Sequence, residues 1–397
     1  MFHGISPNLL KSSFTQRLYC LNSLASDPYI SDIFSKYKKA LLVTGKNSYI
    51  SSGAQEFIFN NTSDIKINIF NEFDANPDID QILNGHELAN QTSPDAIIAV
   101  GGGSTIDVAK IIYRMYVNNI KNLDILDSEK KNFGYKKIPK VDLIAIPTTA
   151  GTGSEATHFA VAYRNSKKYS IASIEMLPKI AILNSRLCLS NSEYQNACSG
   201  FDAFSQAIES YWSKNSSFLS RYYARKAIEI ILGNFIDPSM FCGVNKDVYF
   251  KKMLLAANFS GKAINISKTT APHALSYGIT KELNLPHGHA VAITLGAFFT
   301  FHKMKYNEAH TNNRYRLRLS NKISNLITRK TNMDPSDFLY GLMESKNMEY
   351  DLERINLNSN LQKLITRNVN LERIMNHPVE LSSEDIEKVF KLIPTKS

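Results

Sequence analysis

The stretch Asp95-Ala-Ile-Ile-Ala-Val-Gly101-Gly102-Gly103-Ser104-Thr105 decides how the first half of the chain is read. Five apolar residues run without a break into three glycines, and a Ser-Thr pair follows. An uninterrupted apolar run that stops at glycine is the pattern of a strand buried on both faces, as in a parallel sheet. Glycines at its end let a backbone approach a pyrophosphate, and the amides of a following helix point at it. Ser104 is placed to cap that helix. The spacing is not G-x-G-x-x-G, and a triple glycine also suits a plain tight turn. The loop alone leaves both readings open.

Similar runs lie on either side. Residues 40–44 (ALLVT) stop at Gly45, 141–146 (VDLIAI) at Pro147 and 180–183 (IAIL) at Asn184, while 65–69 (IKINI) alternates apolar and polar. Amphipathic helical spacing fills the gaps, as in 79–90 and 105–116. Alternating β and α predicts a parallel, doubly wound, Rossmann-like sheet. After about residue 190 the pattern turns helical, over 196–213, 219–232, 247–260, 272–281 and the tail. Asp334-Pro335-Ser336 and His377-Pro378 break that tail into pieces. The expected organisation is a dinucleotide-binding α/β domain over 1–188 and an all-helical metal- and substrate-binding domain over 189–397.

A second loop adds weight to the glycine loop. After the run at 141–146 comes Pro147-Thr148-Thr149-Ala150-Gly151-Thr152-Gly153-Ser154-Glu155, rich in hydroxyls and exposed amides. Ligands of open α/β sheets bind at the carboxyl ends of the strands. Two such loops after two strands favour a dinucleotide site over two unrelated turns.

The helical half holds a different constellation. In Gly200-Phe201-Asp202-Ala203-Phe204-Ser205-Gln206, Asp202 and Gln206 stand at i and i+4 on one helix face. His273 follows Ala271-Pro272, and His287 and His289 flank Gly288. A lone histidine is more often structural than a ligand. A carboxylate on an apolar helix face is the odder feature, because a buried carboxylate wants a metal or a cation. One carboxylate with two imidazoles suits a divalent metal acting as a Lewis acid.

Composition bounds these readings. The chain has 397 residues, 43% of them hydrophobic and 21% charged, which excludes disorder as its main state. The net charge is +10, and the excess is uneven: 20 basic against 18 acidic groups in residues 1–200, 26 against 18 beyond. A basic chain invites a nucleic-acid reading, but no recognition motif supports one. Cys20, Cys188, Cys198 and Cys242 show no C-x-x-C spacing and read as reduced, buried thiols. The first residues lack the charged and apolar regions of a leader. The longest apolar stretch, 290–301, is too short to span a bilayer. The expected location is the cytoplasm, with neither membrane nor nucleic acid as a partner.

Taken in order, Gly101-Gly-Gly-Ser-Thr-Ile-Asp107-Val-Ala-Lys110, Pro147-Thr-Thr-Ala-Gly-Thr-Gly-Ser-Glu155, Gly200-Phe-Asp-Ala, His273 and Pro286-His-Gly resemble the iron-containing (group III) alcohol dehydrogenases. The segment 376–386 resembles that family's closing segment. The resemblance implies a nicotinamide-dependent oxidoreductase with one divalent metal between its two domains, often a homodimer. It implies metal ligands Asp202, Gln206, His273 and His287. It places the pyrophosphate on Gly102, Gly103 and Ser104 with Asp107 nearby, and the phosphate and nicotinamide ribose on Thr148, Thr149 and Thr152. Lys168 aligns with a cofactor-contacting lysine.

Three departures matter. Most members have His where this chain has Gln206, a neutral and harder ligand, so Fe²⁺, Zn²⁺ and Mn²⁺ all remain open. Many have a further His where Tyr277 stands; a phenol, with its pKa near 10, relays a proton less readily. The family often has Asp after the Thr that ends the first predicted strand, where it accepts from a ribose 2′-OH and repels a 2′-phosphate. Here Thr44 is followed by Gly45 and Lys46, which removes that repulsion and favours NADPH over NADH. As a turn glycine and a solvated lysine, the same pair would carry no preference.

Within the family, Gln206, the run from Ala263 through His273 to Tyr277, and Pro286-His-Gly-His289 resemble the phosphonoacetaldehyde reductases. That resemblance implies reduction of phosphonoacetaldehyde to 2-hydroxyethylphosphonate, with Asp202, His273, His287 and Tyr277 as the catalytic set. Lys268 and Asn265 would suit an anionic substrate tail, with His158 and His289 lining the site. Another small alcohol or aldehyde, and a lyase similar to dehydroquinate synthase, are the alternatives.

Overall fold

The structure, a computed structural model, describes residues 16–62, 64–121, 140–165, 167–237, 245–308 and 311–396. Among the described residues, eight strands are formed: β1 (Arg17–Leu21), β2 (Lys39–Thr44), β3 (Lys66–Phe70), β4 (Ala96–Gly101), β5 (Asp142–Pro147), β6 (Phe159–Arg164), β7 (Lys167–Ala172) and β8 (Ile180–Asn184). Six of them make one parallel sheet in the order β1-β8-β5-β4-β2-β3. β6 and β7 form a separate antiparallel hairpin. Helices α1 (Pro28–Phe34), α2 (Ala54–Asn61), α3 (Ile79–Thr92) and α4 (Gly103–Asn118) accompany the sheet.

Alternate residues of the central strands enter two cores, as the period of two requires. Leu41, Val43, Ile97, Ala99 and Leu143 pack with Ile82, Ile112 and Met115 of α3 and α4. Leu42, Ile98, Val100, Ile144 and Ile146 pack on the opposite side with Ile30, Phe34 and Phe57. β2 sits between β3 and β4. The chain therefore runs outward from β2 to β3 and then returns to β4 on the other side. That reversal opens the crevice where doubly wound sheets bind ligands, at the carboxyl ends of β2 and β4. Thr44 and Gly101 stand there.

Four details differ from the sequence reading. β1 and the β6–β7 hairpin were not expected. β1 pairs on one side only, with β8, and its burial is only partial, so its apolar signal is weak. The cap of α4 is Gly102, which has no side chain; Ser104 donates instead to the Ala75 carbonyl. Cys20 is exposed, whereas Cys188 and Cys198 are buried; Cys242 lies outside the described residues.

The rest is helical: α5 (Glu193–Trp212), α6 (Phe218–Ile236), α7 (Asn245–Ser267), α8 (Ala271–Leu283), α9 (His287–Glu308), α10 (Thr311–Thr331), α11 (Pro335–Ser345), α12 (Ser359–Arg367), α13 (Leu371–Met375) and α14 (Ser383–Lys391). α9 is central and packs against α5, α8, α10 and α11. Its apolar run is buried all round, from Ala290 to Phe301 on nearly every side, which accounts for the longest hydrophobic stretch of the chain. Asp334 caps α11 with Pro335 in its first turn, at the break read from the sequence. Among the described residues, no helix is long and apolar enough to cross a membrane.

The chain divides into two compact units. One takes residues up to 191 together with 245–258 of α7, a segment the sequence reading assigns to the second half. The other takes 192–237 and the residues from Phe259 onward.

Candidate active site

In the helical unit, α5 carries Asp202, Gln206 and Glu209 on one face, at i, i+4 and i+7. His273 lies in the first turn of α8, and His287 is the first residue of α9. Gly288 brings α9 against the backbone of α5: a Cβ there would stand 1.9 Å from the Cys198 carbonyl oxygen. That close approach carries His287 to Asp202.

His273 Nε2 lies 3.3 Å and His287 Nε2 3.9 Å from Asp202 Oδ1, and one ligand atom from each of the three residues falls within 4.8 Å of the others. Ligands bonded to one ion at ~2.0–2.2 Å stand roughly 3–3.5 Å apart, so the set has the dimensions of a metal cage. Asp202 and His273 are buried, but the His287 side chain is 38% exposed, which leaves one side of the cage open. Tyr277 stacks on His287, with ring centroids 5.8 Å apart and planes at 14°. Gln206 donates from Nε2 to Asp202 Oδ1 at 3.0 Å, and its Oε1 lies 3.1 Å from Ser260 Oγ on α7.

Glu209, which the sequence reading missed, holds the cage from behind. It is fully buried. One carboxylate oxygen accepts from His273 Nδ1. The other accepts from Thr270 N at 2.7 Å, from Thr270 Oγ1 at 2.9 Å and from His273 N at 3.4 Å. With the Nδ1 proton held by Glu209, Nε2 is the nitrogen that a cation would take, in place of its proton. Burial alone would lower the His273 pKa, but the Glu209 and Asp202 carboxylates override it and raise it to about 10. Burial would raise Asp202, yet the hydrogen bond from His273 and the charges of His287 and His273 bring it below the usual carboxylate range. A negative, convergent donor set of one carboxylate and two imidazoles, buried at Asp202 and His273, fits a divalent metal ion.

The α/β unit presents the other predicted residues. Thr44 is buried and its hydroxyl donates to the Val100 carbonyl at 2.9 Å, tying the ends of β2 and β4 together. Gly45 follows directly, and Lys46 is exposed. Gly101 pairs with Pro147, and Thr148 N donates to the Gly101 carbonyl at 3.0 Å. A Cβ on Gly102 would meet Thr149 at 3.6 Å and one on Gly103 would meet Thr152 at 2.8 Å. The glycine and threonine loops therefore face each other, beside a helix start that no side chain caps. Such a start leaves amide donors and the positive dipole end for an anion.

Asp107 braces this arrangement rather than lining it. Its oxygens accept from Ser154 Oγ at 2.6 Å and Val161 N at 3.0 Å. Burial raises its pKa, opposed by the charges of Lys110 and Lys168. Lys110 is buried and donates to Ser154, Thr157 and the Phe159 carbonyl, with its pKa lowered by burial to about 8. Lys168 lies on β7, one strand of the unexpected hairpin.

The predicted substrate residues are spread over the end of α7, the start of α9 and the stretch before β6. Lys268 adopts a left-handed backbone (φ 59°) and pairs with Glu372. Asn265 is buried. His289 has both ring nitrogens engaged, Nδ1 with Tyr194 Oη and Nε2 with the Glu349 carbonyl, each at 2.7 Å. His158 is half-buried, edge-on to Phe159.

Two family models match the chain in succession: Iron-containing alcohol dehydrogenase over residues 27–185, and Fe-containing alcohol dehydrogenase family, C-terminal, over 196–393. The chain belongs to the iron-containing alcohol dehydrogenase family. A bifunctional aldehyde-alcohol dehydrogenase of Escherichia coli K12 is 30% identical over 291 residues, 68% of this chain and 31% of that protein. The chain thus spans about a third of that relative's length. An NADPH-dependent butanol dehydrogenase of Clostridium saccharobutylicum is 26% identical over 373 residues, 90% of this chain and 92% of the relative. Among solved structures, sulfoacetaldehyde reductase from Bifidobacterium kashiwanohense in complex with NAD+ superposes with a TM-score of 0.79 at 25% identity, covering 96% of this chain and 97% of that one. This iron-containing alcohol dehydrogenase fold matches the parallel sheet followed by helices described above.

Proposed function

We propose that this chain is a metal-dependent aldehyde reductase that converts a small anionic aldehyde, phosphonoacetaldehyde in the first instance, to its primary alcohol with NADPH. The observation that carries the reading is the Asp202–His273–His287 cage with the His273 Nδ1 proton committed to Glu209. The small-aldehyde reading is supported by the sulfoacetaldehyde reductase neighbour, and NADPH by the butanol dehydrogenase relative and by Gly45 in place of an acidic residue.

When bound, a divalent ion supplies electrophilic polarisation of a carbonyl oxygen and reduced nicotinamide supplies the hydride. Asp202 contributes the anionic charge of the cage, and His273 and His287 present their Nε2 atoms. Gln206 completes the ligand set. Tyr277 holds the His287 ring by stacking and relays the proton that the product hydroxyl requires, at Oη. Gly102, Gly103 and Ser104 offer amides to the pyrophosphate, Thr148, Thr149 and Thr152 offer hydroxyls to phosphate and ribose, and Lys168 offers a cation to the cofactor. Lys268 is the cation proposed for the substrate's anionic tail, released from Glu372 to meet it.

The test is a rate panel on metal-loaded protein with NADPH and NADH against phosphonoacetaldehyde, sulfoacetaldehyde and butanal. The expected result is NADPH oxidation with preference for the anionic aldehydes. Preference for butanal defeats the substrate assignment. No nucleotide oxidation with any aldehyde defeats the reductase reading.

A further inference from the structure

Gln206 reaches two neighbours through the two atoms of one amide. Nε2 lies 3.0 Å from Asp202 Oδ1, and Oε1 lies 3.1 Å from Ser260 Oγ. Ser260 Oγ also lies 2.9 Å from the Ala203 carbonyl oxygen. Asp202, Gln206 and Ser260 are all buried, so protein groups or an ion must complement them.

A hydroxyl has one proton to give. Given to Ala203, it leaves Ser260 and Gln206 Oε1 facing each other as two acceptors. Given to Oε1, it leaves the same conflict at Ala203. Turning the amide end for end, a change that hardly alters its shape, removes both conflicts. Ser260 then donates to Ala203 and accepts from Nε2. The same turn sets Oε1 beside Asp202 Oδ1, two oxygens in contact, which repel unless a cation lies against both. With the amide turned, a cation in the cage makes every contact in the group complementary.

We propose that Ser260 is a positioning residue that turns Gln206 so that Oε1 faces the Asp202–His273–His287 cage, making Gln206 an oxygen ligand of the ion. The proposal rests on the metal site put forward above. It gives the cage two oxygen and two imidazole donors, a harder set than one with a third imidazole.

The test is titration of the full chain with Co²⁺, read by its visible absorption and by competition with a chelator. Ser260→Ala is expected to weaken Co²⁺ binding by roughly tenfold or more, the range seen when a residue that orients a ligand is removed. Ser260→Thr retains the hydroxyl and is expected to retain affinity, and Ser260→Gly makes the same deletion should Ser260→Ala not fold. In a Gln206→Glu background both ligand oxygens are acceptors, so the loss caused by Ser260→Ala is expected to vanish, a non-additive cycle. No loss in the parent chain, or an equal loss in both backgrounds, overturns the proposal. If Co²⁺ binding is absent, or is unchanged by Asp202→Ala, the metal site itself is wrong; intact binding without a Ser260 effect defeats only the positioning role.

Discussion

Glu209 and His273 are joined carboxylate to imidazole inside the helical unit, and Glu209 has no exposure to solvent. Because the acceptor of the Nδ1 proton is itself held by Thr270, the ring orientation of His273 is set two bonds away from any ion. Glu209→Gln should therefore lower divalent metal affinity by ~10–100-fold. Chelator competition measures it, and affinity unchanged within error would remove Glu209 from the metal site.

Asp202→Ala should abolish stoichiometric metal, read by elemental analysis of protein dialysed against the ion. Binding to the folded state alone stabilises by ~2.7 kcal/mol at a hundredfold excess over Kd. The parent chain should show that gain on adding metal, and Asp202→Ala should not.

Gly45→Asp should move nucleotide preference from NADPH toward NADH by at least ~tenfold, about 1.4 kcal/mol, through repulsion of the 2′-phosphate. A Cβ at Gly45 meets the terminal oxygen of Ser48, a flexible neighbour, so the substitution is accommodated. The ratio of kcat/KM for the two nucleotides reports it; an unmoved ratio means that Gly45 is only a turn.

Gly288→Ala places a methyl group 1.9 Å from a backbone oxygen, which no side-chain rotation relieves. The expected outcome is destabilisation on the order of 3 kcal/mol with loss of metal binding, since α9 must shift and take His287 with it. Urea unfolding and metal titration read the two effects separately.

Acid should weaken the helical unit through a second histidine pair. His302 Nε2 and His377 Nε2 lie 2.9 Å apart, both buried. Burial lowers His302 to about 3 and His377 well below its ordinary value. The unfolded chain takes these protons near pH 6.5, the folded chain only at much lower pH. Stability is thus fully present above 6.5 and is lost as pH falls toward 3. Between pH 7.5 and 5.5 the pair should cost ~2.7 kcal/mol, measured by urea unfolding with chelator present. His377→Gln should halve that dependence.

Much of this was legible in the sequence, for local reasons. A buried parallel strand has to be apolar throughout and has to end at a turn, so β2, β4, β5 and β8 announce themselves through Gly45, Gly101, Pro147 and the Asn184 terminus. β1 pairs along one side only and carries no such mark. Asp202 and His273 are 71 residues apart, so residue type offers them as candidate ligands of one ion while spacing alone does not bring them together. Glu209 was readable, since it continues the Asp202, Gln206 helical face by one more turn. Ser260 was not: it meets Gln206 across 54 residues through packing of α7 on α5. Nor was the partner of Lys268 readable: its backbone is left-handed and its ammonium meets Glu372, 104 residues away in the chain.

The division of labour between the two units has an evolutionary consequence. Every residue of the cage and its backing, from Asp202 to His287, belongs to one unit, and both the glycine loop and the threonine loop belong to the other. Under the roles proposed above for Gln206 and Gly45, a lineage can change its metal through position 206 without disturbing its nucleotide, and its nucleotide through position 45 without disturbing its metal. On those roles the two preferences are separately heritable, and a descendant that trades Gln206 for an imidazole or Gly45 for an acid is expected to keep the other half of its chemistry.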